Sequence, residues 1–174
     1  IGQSKDLNIK RIVIYRDGMP KHTDEVRDCI KALKDTSKNI NRKFELNYIG
    51  VVKRMPIRLF KISQKDVGNE EKFSVENPLW GTYTYLYKTN YLGYTVDKVA
   101  IVSSSPIEGV SRPVVLNVFN KTTNADIRRI AIEYLKLTRL NFWNAITGAH
   151  RLALPIKMAD TIAYMLAKGI SIKA

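Results

Sequence analysis

The chain has 174 residues, which is enough for one domain with a buried core and too few for two domains of ordinary size. Hydrophobic residues make up 45% of it and charged residues 26%, a balance that excludes an intrinsically disordered chain. No apolar run approaches the roughly 18 residues that cross a bilayer, and the beginning lacks the layout of a signal peptide. One cysteine and two distant histidines exclude an internal disulfide and a Cys/His zinc site, so we expect a cytoplasmic, zinc-free protein.

Basic residues exceed acidic ones, with 29 Lys and Arg against 16 Asp and Glu and a formal net charge of +13. Such an excess suits the phosphate backbone of nucleic acids, although ribosomal and membrane-surface proteins share it. The chain opens on Ile1 and enters a strand pattern almost at once, which is typical of a fragment. The charge therefore suggests a polyanionic partner without identifying it.

The first half of the chain alternates strand and helix patterns. Residues 12–15 form a continuous β-branched and aromatic run, which predicts a strand buried on both faces. Apolar residues at helical spacing predict a helix over about residues 23–36, and residues 44–52 and 58–62 predict two more strands. We expect the first strand to be interior, beside residues 44–52, with the helix packed on the sheet. A helical conformation or an exposed edge position of residues 12–15 would count against an α/β fold with this strand at its centre.

The second half continues the mixture of strands and helices. Residues 63–79 are polar and lack a sustained period, which predicts a surface loop. Strand patterns follow at residues 82–87, 98–102 and 113–119. Asn124 can cap one helix and Pro155 can open another. Their apolar stripes are Ile127, Ile130, Ala131, Tyr134 and Leu135 in the first, and Ala159, Ile162, Ala163 and Leu166 in the second.

Four patches of this sequence carry a family resemblance through their order and spacing. The first, residues 12–18, is an apolar strand that ends in Arg-Asp-Gly, and the second, residues 52–60, is a basic strand. The third, residues 109–113, reads Gly-Val-Ser-Arg-Pro and is the most specific short match. The fourth runs over residues 134–160 and ends in Leu-Pro-Ile-Lys-Met-Ala-Asp.

Together these patches resemble the C-terminal half of the PIWI domain, the RNase H-like nuclease lobe of Argonaute proteins. The resemblance covers most of the chain. It implies an α/β, RNase H-like fold in which a mixed sheet is flanked by helices and the N-terminal part of the domain is missing. Residues 1–174 would then be a single domain or a fragment of one, and the form of the fourth patch looks prokaryotic.

The resemblance also implies two catalytic and metal-binding positions, Asp17 and Asp160. The family has four such positions, and the other two precede the Arg-Asp-Gly strand. Asp6 and Glu25 are in the wrong context to replace them. The cofactor would be Mg²⁺ or Mn²⁺, because hard cations prefer oxygen ligands. From the residues alone, Asp17 could instead be a turn residue, and Asp160 could lie on a solvated helix face. A ligand role requires both carboxylates to reach one point.

The basic positions of the matching patches imply contacts with the sugar-phosphate backbone, which cations neutralise without reading bases. The predicted contact residues are Lys53, Arg54, Arg58, Arg112, Lys136 and Arg139. Each of them could also be a solvated surface charge, and Arg112 is the best supported. Large aromatic residues such as Trp80 and Trp143 are expected to anchor the core, as is Cys29.

These expectations lead to one function and two alternatives. The chain is expected to bind a guide strand and its paired target, either RNA or DNA, together with the remaining N-terminal segments of an Argonaute. The intact parent would cleave the target with a divalent metal, whereas this chain alone would be inactive because two carboxylates are absent. The alternatives are guide-dependent binding without cleavage and a non-catalytic RNase H-like interaction domain.

Overall fold

The computed structural model describes residues 9–39, 44–67, 70–104, 110–119, 126–140 and 152–169. These ranges contain seven strands and three helices. The strands are β1 (Arg11–Asp17), β2 (Glu45–Val52), β3 (Lys61–Val67), β4 (Glu70–Glu76), β5 (Tyr83–Tyr91), β6 (Tyr94–Ile101) and β7 (Val114–Phe119). The helices are α1 (Thr23–Asn39), α2 (Ile127–Arg139) and α3 (Leu154–Ala167). Within the described ranges, no helix has the length and apolar character needed to span a membrane.

Five strands form one mixed sheet in the order β1-β2-β7-β6-β5, while β3 and β4 pair with each other as a separate antiparallel ribbon. β1 and β2 are parallel, and the other pairs in the sheet are antiparallel. Asp17 is opposite Val51 in this register, so β1 and β2 end at the same edge of the sheet. The mixed sheet with flanking helices confirms the α/β part of the predicted architecture.

One face of the sheet packs against α2 and α3 through an aliphatic core. Ile49, Val99 and Leu116 are at most 1% exposed there and meet the buried stripe of α2. Burying each such side chain contributes roughly 1.5–3 kcal/mol. The predicted stripe of α2 is confirmed, although the helix is capped by Asp126, whose carboxylate accepts a hydrogen bond from Arg129 N at 3.1 Å. Asn124, the predicted cap, lies outside the described residues.

The opposite face packs against α1 through a smaller core that is rich in aromatic residues. Val26 of α1 is fully buried there beside Tyr48, Tyr94 and Phe119. The Tyr48 and Phe119 rings meet edge to face, with 5.4 Å between their centroids. Cys29 is partly buried against this cluster, as expected for a core residue. The predicted packing of the first helix on the sheet is therefore confirmed.

The expected interior position of the first strand is wrong. β1 is an edge strand of the described sheet, which taken alone counts against the expected fold, although β2 is its neighbour as predicted. Val13 and Tyr15 pack on the aliphatic core while Ile14 packs on the aromatic core, so both faces of β1 are covered. A continuous apolar run indicates that both faces of a strand are covered by other elements. It does not show whether the strand has hydrogen-bonded neighbours on one side or on both sides.

The predicted loop at residues 63–79 is also wrong, because most of it forms the β3–β4 ribbon. The strand predicted at residues 58–62 begins only at Lys61. Apolar residues do alternate in the ribbon, where Ile62 pairs with Val75 and Gln64 pairs with Phe73. More than 60% of the surface of each of Ile62, Phe73 and Val75 is exposed. The ribbon therefore lacks the buried face that produces a sustained alternation of apolar and polar residues in a sequence.

The apolar stripe predicted for the last helix is present but unburied in this chain. α3 begins at Leu154 with Pro155 in its first turn, as predicted. Ile156 is buried, whereas Ile162 is 43% and Leu166 is 58% exposed. Only the first turns of α3 therefore pack on the described core, and they do so next to β1.

Candidate nucleic-acid and metal site

Asp17 is held at the end of β1 by contacts between its turn and β2. The Gly18 amide donates a hydrogen bond to Val51 O at 2.7 Å, and Gly18 has a φ of 76°, which favours glycine. At Gly50, an added Cβ would lie 2.8 Å from Gly18 O, so β2 also requires glycine where the turn approaches it. The Asp-Gly pair is thus a turn, as the residues alone suggested, and the turn fixes the direction of the Asp17 carboxylate.

A polar cluster behind this turn orients Arg16. The Arg16 Nε donates to Glu25 Oε1 at 2.7 Å, and the Tyr48 hydroxyl donates to the same oxygen at 2.9 Å. Arg16 also donates to the Asp17 carbonyl. The hydrogen bond from Arg16 is the main cause that lowers the pKa of Glu25. The pKa of Tyr48 is raised, first by burial and then by its hydrogen bond to Glu25. Glu25 therefore stabilises the turn in an ion pair.

Asp160 reaches the same region from α3. Ala153 and Ile156 anchor the start of this helix in the aliphatic core, at 0% and 1% exposure. Asp160 follows Ile156 by four residues and so lies on the same face of the helix, directed toward the end of β1. The anchored first turn thus places a carboxylate beside the edge of the sheet at which β1 and β2 end.

Lys53, the first residue after β2, joins the two carboxylates. Its Nζ donates to Asp17 Oδ2 at 2.9 Å and to Asp160 Oδ2 at 2.8 Å. Burial lowers the pKa of Lys53, but the hydrogen bonds and charges of Asp160 and Asp17 outweigh it, and the net pKa is raised. Asp160 therefore forms an ion pair with a distant lysine and does not merely face solvent. Both carboxylates do reach one point.

This convergence fits one shared cation. The two oxygens are the hard ligands that Mg²⁺ and Mn²⁺ prefer, and an ammonium group already lies between them. The described part of the chain contains no group of three or more His, Cys, Asp or Glu residues arranged around a metal position. Asp17 and Asp160 could therefore supply part of a metal site, with the other ligands coming from elsewhere.

A basic cleft opens next to the carboxylate pair. It has a volume of about 530 Å³ and is lined by Lys53, Arg54, Met55, Pro56, Arg58 and Arg112. Arg58 donates hydrogen bonds to the carbonyls of Met55 and Ile57, which fold the segment after β2 around the cleft. Four of the six predicted phosphate contacts are thus brought together. Met55 and Pro56 were not singled out in the sequence, and their place inside the basic segment is the only signal that could have indicated them.

Arg112 projects into the cleft from a fixed segment. The amide of the fully buried Ser111 donates to Asn77 Oδ1 at 2.9 Å, and its hydroxyl donates to Ser104 O at 3.1 Å. Pro113 is buried on the other side, so Arg112 is exposed between two anchored residues. Gly109, the first residue of this motif, lies outside the described residues, as does Arg151 of the fourth patch.

The remaining two predicted contacts, Lys136 and Arg139, lie at the end of α2 and do not line this cleft. Both are exposed. The Arg139 guanidinium stacks 4.2 Å from the centroid of the Trp80 ring, which itself packs against the aliphatic core. Trp80 is thus a core anchor, as expected, and Arg139 covers it. Trp143 lies outside the described residues.

Comparisons with known proteins give a consistent result. The Piwi domain family model matches residues 2–171. Among solved structures, Drosophila Piwi has a TM-score of 0.64 at 22% identity, and the match covers 90% of this chain and 20% of that one. Argonaute from Aquifex aeolicus has a TM-score of 0.56 at 18% identity, with 96% and 20% covered. Kluyveromyces polysporus Argonaute with a guide RNA has a TM-score of 0.59 at 16% identity, with 89% and 19% covered.

These identities establish the fold alone, and the chain spans about a fifth of the length of those three proteins. A comparison with curated protein sequences gives no significant match.

Proposed function

Because the chain belongs to the Piwi domain family, we propose that it binds the sugar-phosphate backbone of a guide strand and its paired target as part of an Argonaute protein. Base pairing between the two strands would select the sequence, while the protein would hold the backbone. The structural relative crystallised with a guide RNA supports this choice of partner. RNA and DNA both carry the phosphates that such a site requires.

The observation that carries this proposal is the basic cleft. Lys53, Arg54, Arg58 and Arg112 come from two separate parts of the chain and line one surface. Guanidinium and ammonium groups neutralise phosphates without reading bases. A cleft with four such groups is suited to a backbone, and its position beside Asp17 and Asp160 would bring a bound phosphodiester near the carboxylates.

We also propose that Asp17 and Asp160 hold Mg²⁺ or Mn²⁺ in a longer Argonaute protein that contains the other two catalytic positions. In RNase H-like nucleases such metals activate the attacking water and stabilise the leaving oxygen. The residues of this chain would supply two negative charges that retain a cation and several positive charges that align the target backbone. Two carboxylates alone cannot retain two divalent metals, so we expect no cleavage by the 174-residue chain.

The chain is proposed to be the C-terminal part of the PIWI domain, with the N-terminal segments of the parent as its partners. The edge position of β1 among the described strands and the exposed stripe of α3 support this assignment, because both are surfaces that further protein could cover. The prokaryotic character of the last motif stays a prediction. Guide-dependent binding without cleavage is the second candidate, and it differs only in the upstream carboxylates.

Binding of labelled single-stranded RNA and DNA at increasing salt concentrations tests the proposed function. If about four phosphates are neutralised, the logarithm of the binding constant should fall with the logarithm of salt concentration at a slope near −3. The variant Arg54→Ala, Arg58→Ala, Arg112→Ala should bind much more weakly and have a shallower slope. The matched control Lys31→Ala, Lys34→Ala, Lys38→Ala removes the same charge from α1 and should retain most of the affinity.

Equal losses in the two triple variants would mean that net charge, and not the cleft, attracts the oligonucleotide. Affinity that does not depend on salt, or that survives the loss of all three arginines, would favour the alternative of a non-catalytic RNase H-like interaction domain.

A further inference from the structure

Lys53 has two sets of neighbours that compete for its charge. Its ammonium lies within 2.9 Å of one oxygen of Asp17 and one oxygen of Asp160, which belong to β1 and α3. The same residue lines the basic cleft with Arg54, Arg58 and Arg112. It therefore sits at the boundary between the acidic pair and the surface proposed to bind phosphates.

The position between the carboxylates can hold only one cation. The Lys53 side chain is 25% exposed, less than either Asp17 or Asp160, so its charge is screened by solvent less well than theirs. Two like charges a few ångströms apart in such a place repel each other by several kcal/mol, roughly 4 at an effective dielectric constant of 20. A divalent cation bound by both carboxylates would therefore have to displace the Lys53 ammonium.

We propose that Lys53 is an internal cation that joins Asp17 to Asp160 when no metal is bound and moves to the phosphates of the cleft when a divalent cation replaces it. The lysine side chain is long and flexible enough to exchange partners by rotation about its own bonds. Metal binding and backbone binding would then support each other. The exchange with metal depends only on the carboxylate pair, whereas the move to phosphate rests on the proposed function.

Metal affinity of the 174-residue chain tests the first half of this proposal. Mn²⁺ binding is measured by electron paramagnetic resonance for the wild type and for Lys53→Met, which keeps the length of the side chain and removes its charge. The expected result is affinity at least about tenfold higher in Lys53→Met, because the competing cation is gone. Arg54→Met is the matched control, since it removes one charge from the same cleft without touching the carboxylates, and it should change the affinity less than about threefold.

Equal Mn²⁺ affinity in Lys53→Met and Arg54→Met would overturn the proposal, as would weaker binding in folded Lys53→Met. If Lys53→Met does not fold, the wild type gives the answer by nuclear magnetic resonance. The Lys53 Cε resonance should shift during a Mg²⁺ titration together with the Asp17 and Asp160 carboxyl resonances. A Lys53 resonance that stays fixed while both carboxyl resonances move would contradict displacement.

Oligonucleotide binding with and without Mg²⁺ at matched ionic strength tests the second half. The ratio of the two affinities should be higher in the wild type than in Lys53→Met, since only the wild type releases an extra cation to the phosphates. Equal ratios in proteins that both bind would refute the coupling alone. Absence of oligonucleotide binding in every variant would instead refute the proposed function and leave the Mn²⁺ result to decide the exchange.

Discussion

The cations predicted to contact phosphate lie in different surroundings in this molecule. Lys53, Arg54, Arg58 and Arg112 share an open cleft beside a pair of carboxylates. Arg139, at the end of α2, instead lies over Trp80, 4.2 Å from the ring centroid, and that ring packs against the aliphatic core. The first group has room for a ligand between its members, whereas Arg139 already has a hydrophobic partner. The groups that surround a basic side chain therefore indicate phosphate binding better than its position in a basic motif does.

The largest difference between the two regions should be chemical, because the cleft lies beside the carboxylates of Asp17 and Asp160. In a longer Argonaute protein with all four catalytic positions, Asp17→Asn or Asp160→Asn should reduce Mg²⁺- or Mn²⁺-dependent target cleavage on the order of 10²- to 10³-fold or more. Guide binding should change little, since it depends on the cations. Cleavage of a guide-matched target checks this, with Arg139→Ala as the control that should still cleave. Near-parental cleavage by either asparagine variant would make that aspartate structural.

Loss of a single cleft cation should have the next largest effect. Arg112→Ala in the 174-residue chain should weaken oligonucleotide binding at least about tenfold, because a charge-assisted hydrogen bond contributes roughly 1.5–3 kcal/mol. Lys136→Ala, outside the cleft, should weaken it about twofold or less through long-range charge alone. Fluorescence anisotropy of one labelled strand at fixed salt measures both. Equal effects would mean that the bound backbone also runs along α2.

The sequence predicted the elements that bury a face and missed the β3–β4 ribbon, whereas α3, whose apolar stripe is largely exposed, was predicted from its helical spacing alone. β2, β6, β7, α1 and α2 were found because their apolar residues repeat against a closed core. The β3–β4 ribbon escaped because Ile62 and Phe73 alternate on an exposed surface. The edge position of β1 could not be predicted from its residues, because an apolar run shows that both faces of a strand are covered and not where the strand lies in the sheet.

The residues of the candidate site were predictable from the sequence, but the contacts between their side chains were not. Asp17 and Asp160 were selected from motifs 143 positions apart, and their meeting at one atom follows from the parallel pairing of β1 with β2 and from the anchoring of Ile156. Lys53 was expected to contact phosphate, whereas the structure shows it between the carboxylates. Side-chain partners of this kind depend on tertiary geometry that no local pattern encodes.

The Arg139 stack should contribute modestly to stability. Arg139→Ala should lower the free energy of unfolding by roughly 0.5–1 kcal/mol, the range for an exposed cation–aromatic contact. Arg139→Lys should recover part of the loss, because an ammonium keeps the charge but not the planar face. Urea unfolding measures these differences, and Arg128→Ala, an exposed change on the same helix, serves as the control. An Arg139→Ala effect no greater than that of Arg128→Ala would remove the stabilising role of the stack.

The smallest expected effect is a pH dependence of stability, which should occur for the Arg16–Glu25 ion pair and not for the Arg139–Trp80 contact. The hydrogen bond from Arg16 lowers the pKa of Glu25 below its ordinary value of 4.5, so the pair stabilises the fold above about that pH. As the pH falls through the lowered pKa, Glu25 becomes protonated and this contribution is lost. The stability difference between wild type and Glu25→Gln, below about 1 kcal/mol for a pair this exposed, should therefore shrink in acid. The difference between wild type and Arg139→Ala should stay constant over the same range, because the Trp80 ring does not titrate.

Urea unfolding at several acidic pH values measures both differences. A Glu25→Gln difference that does not change with pH would mean that packing, and not charge, holds Arg16 in place.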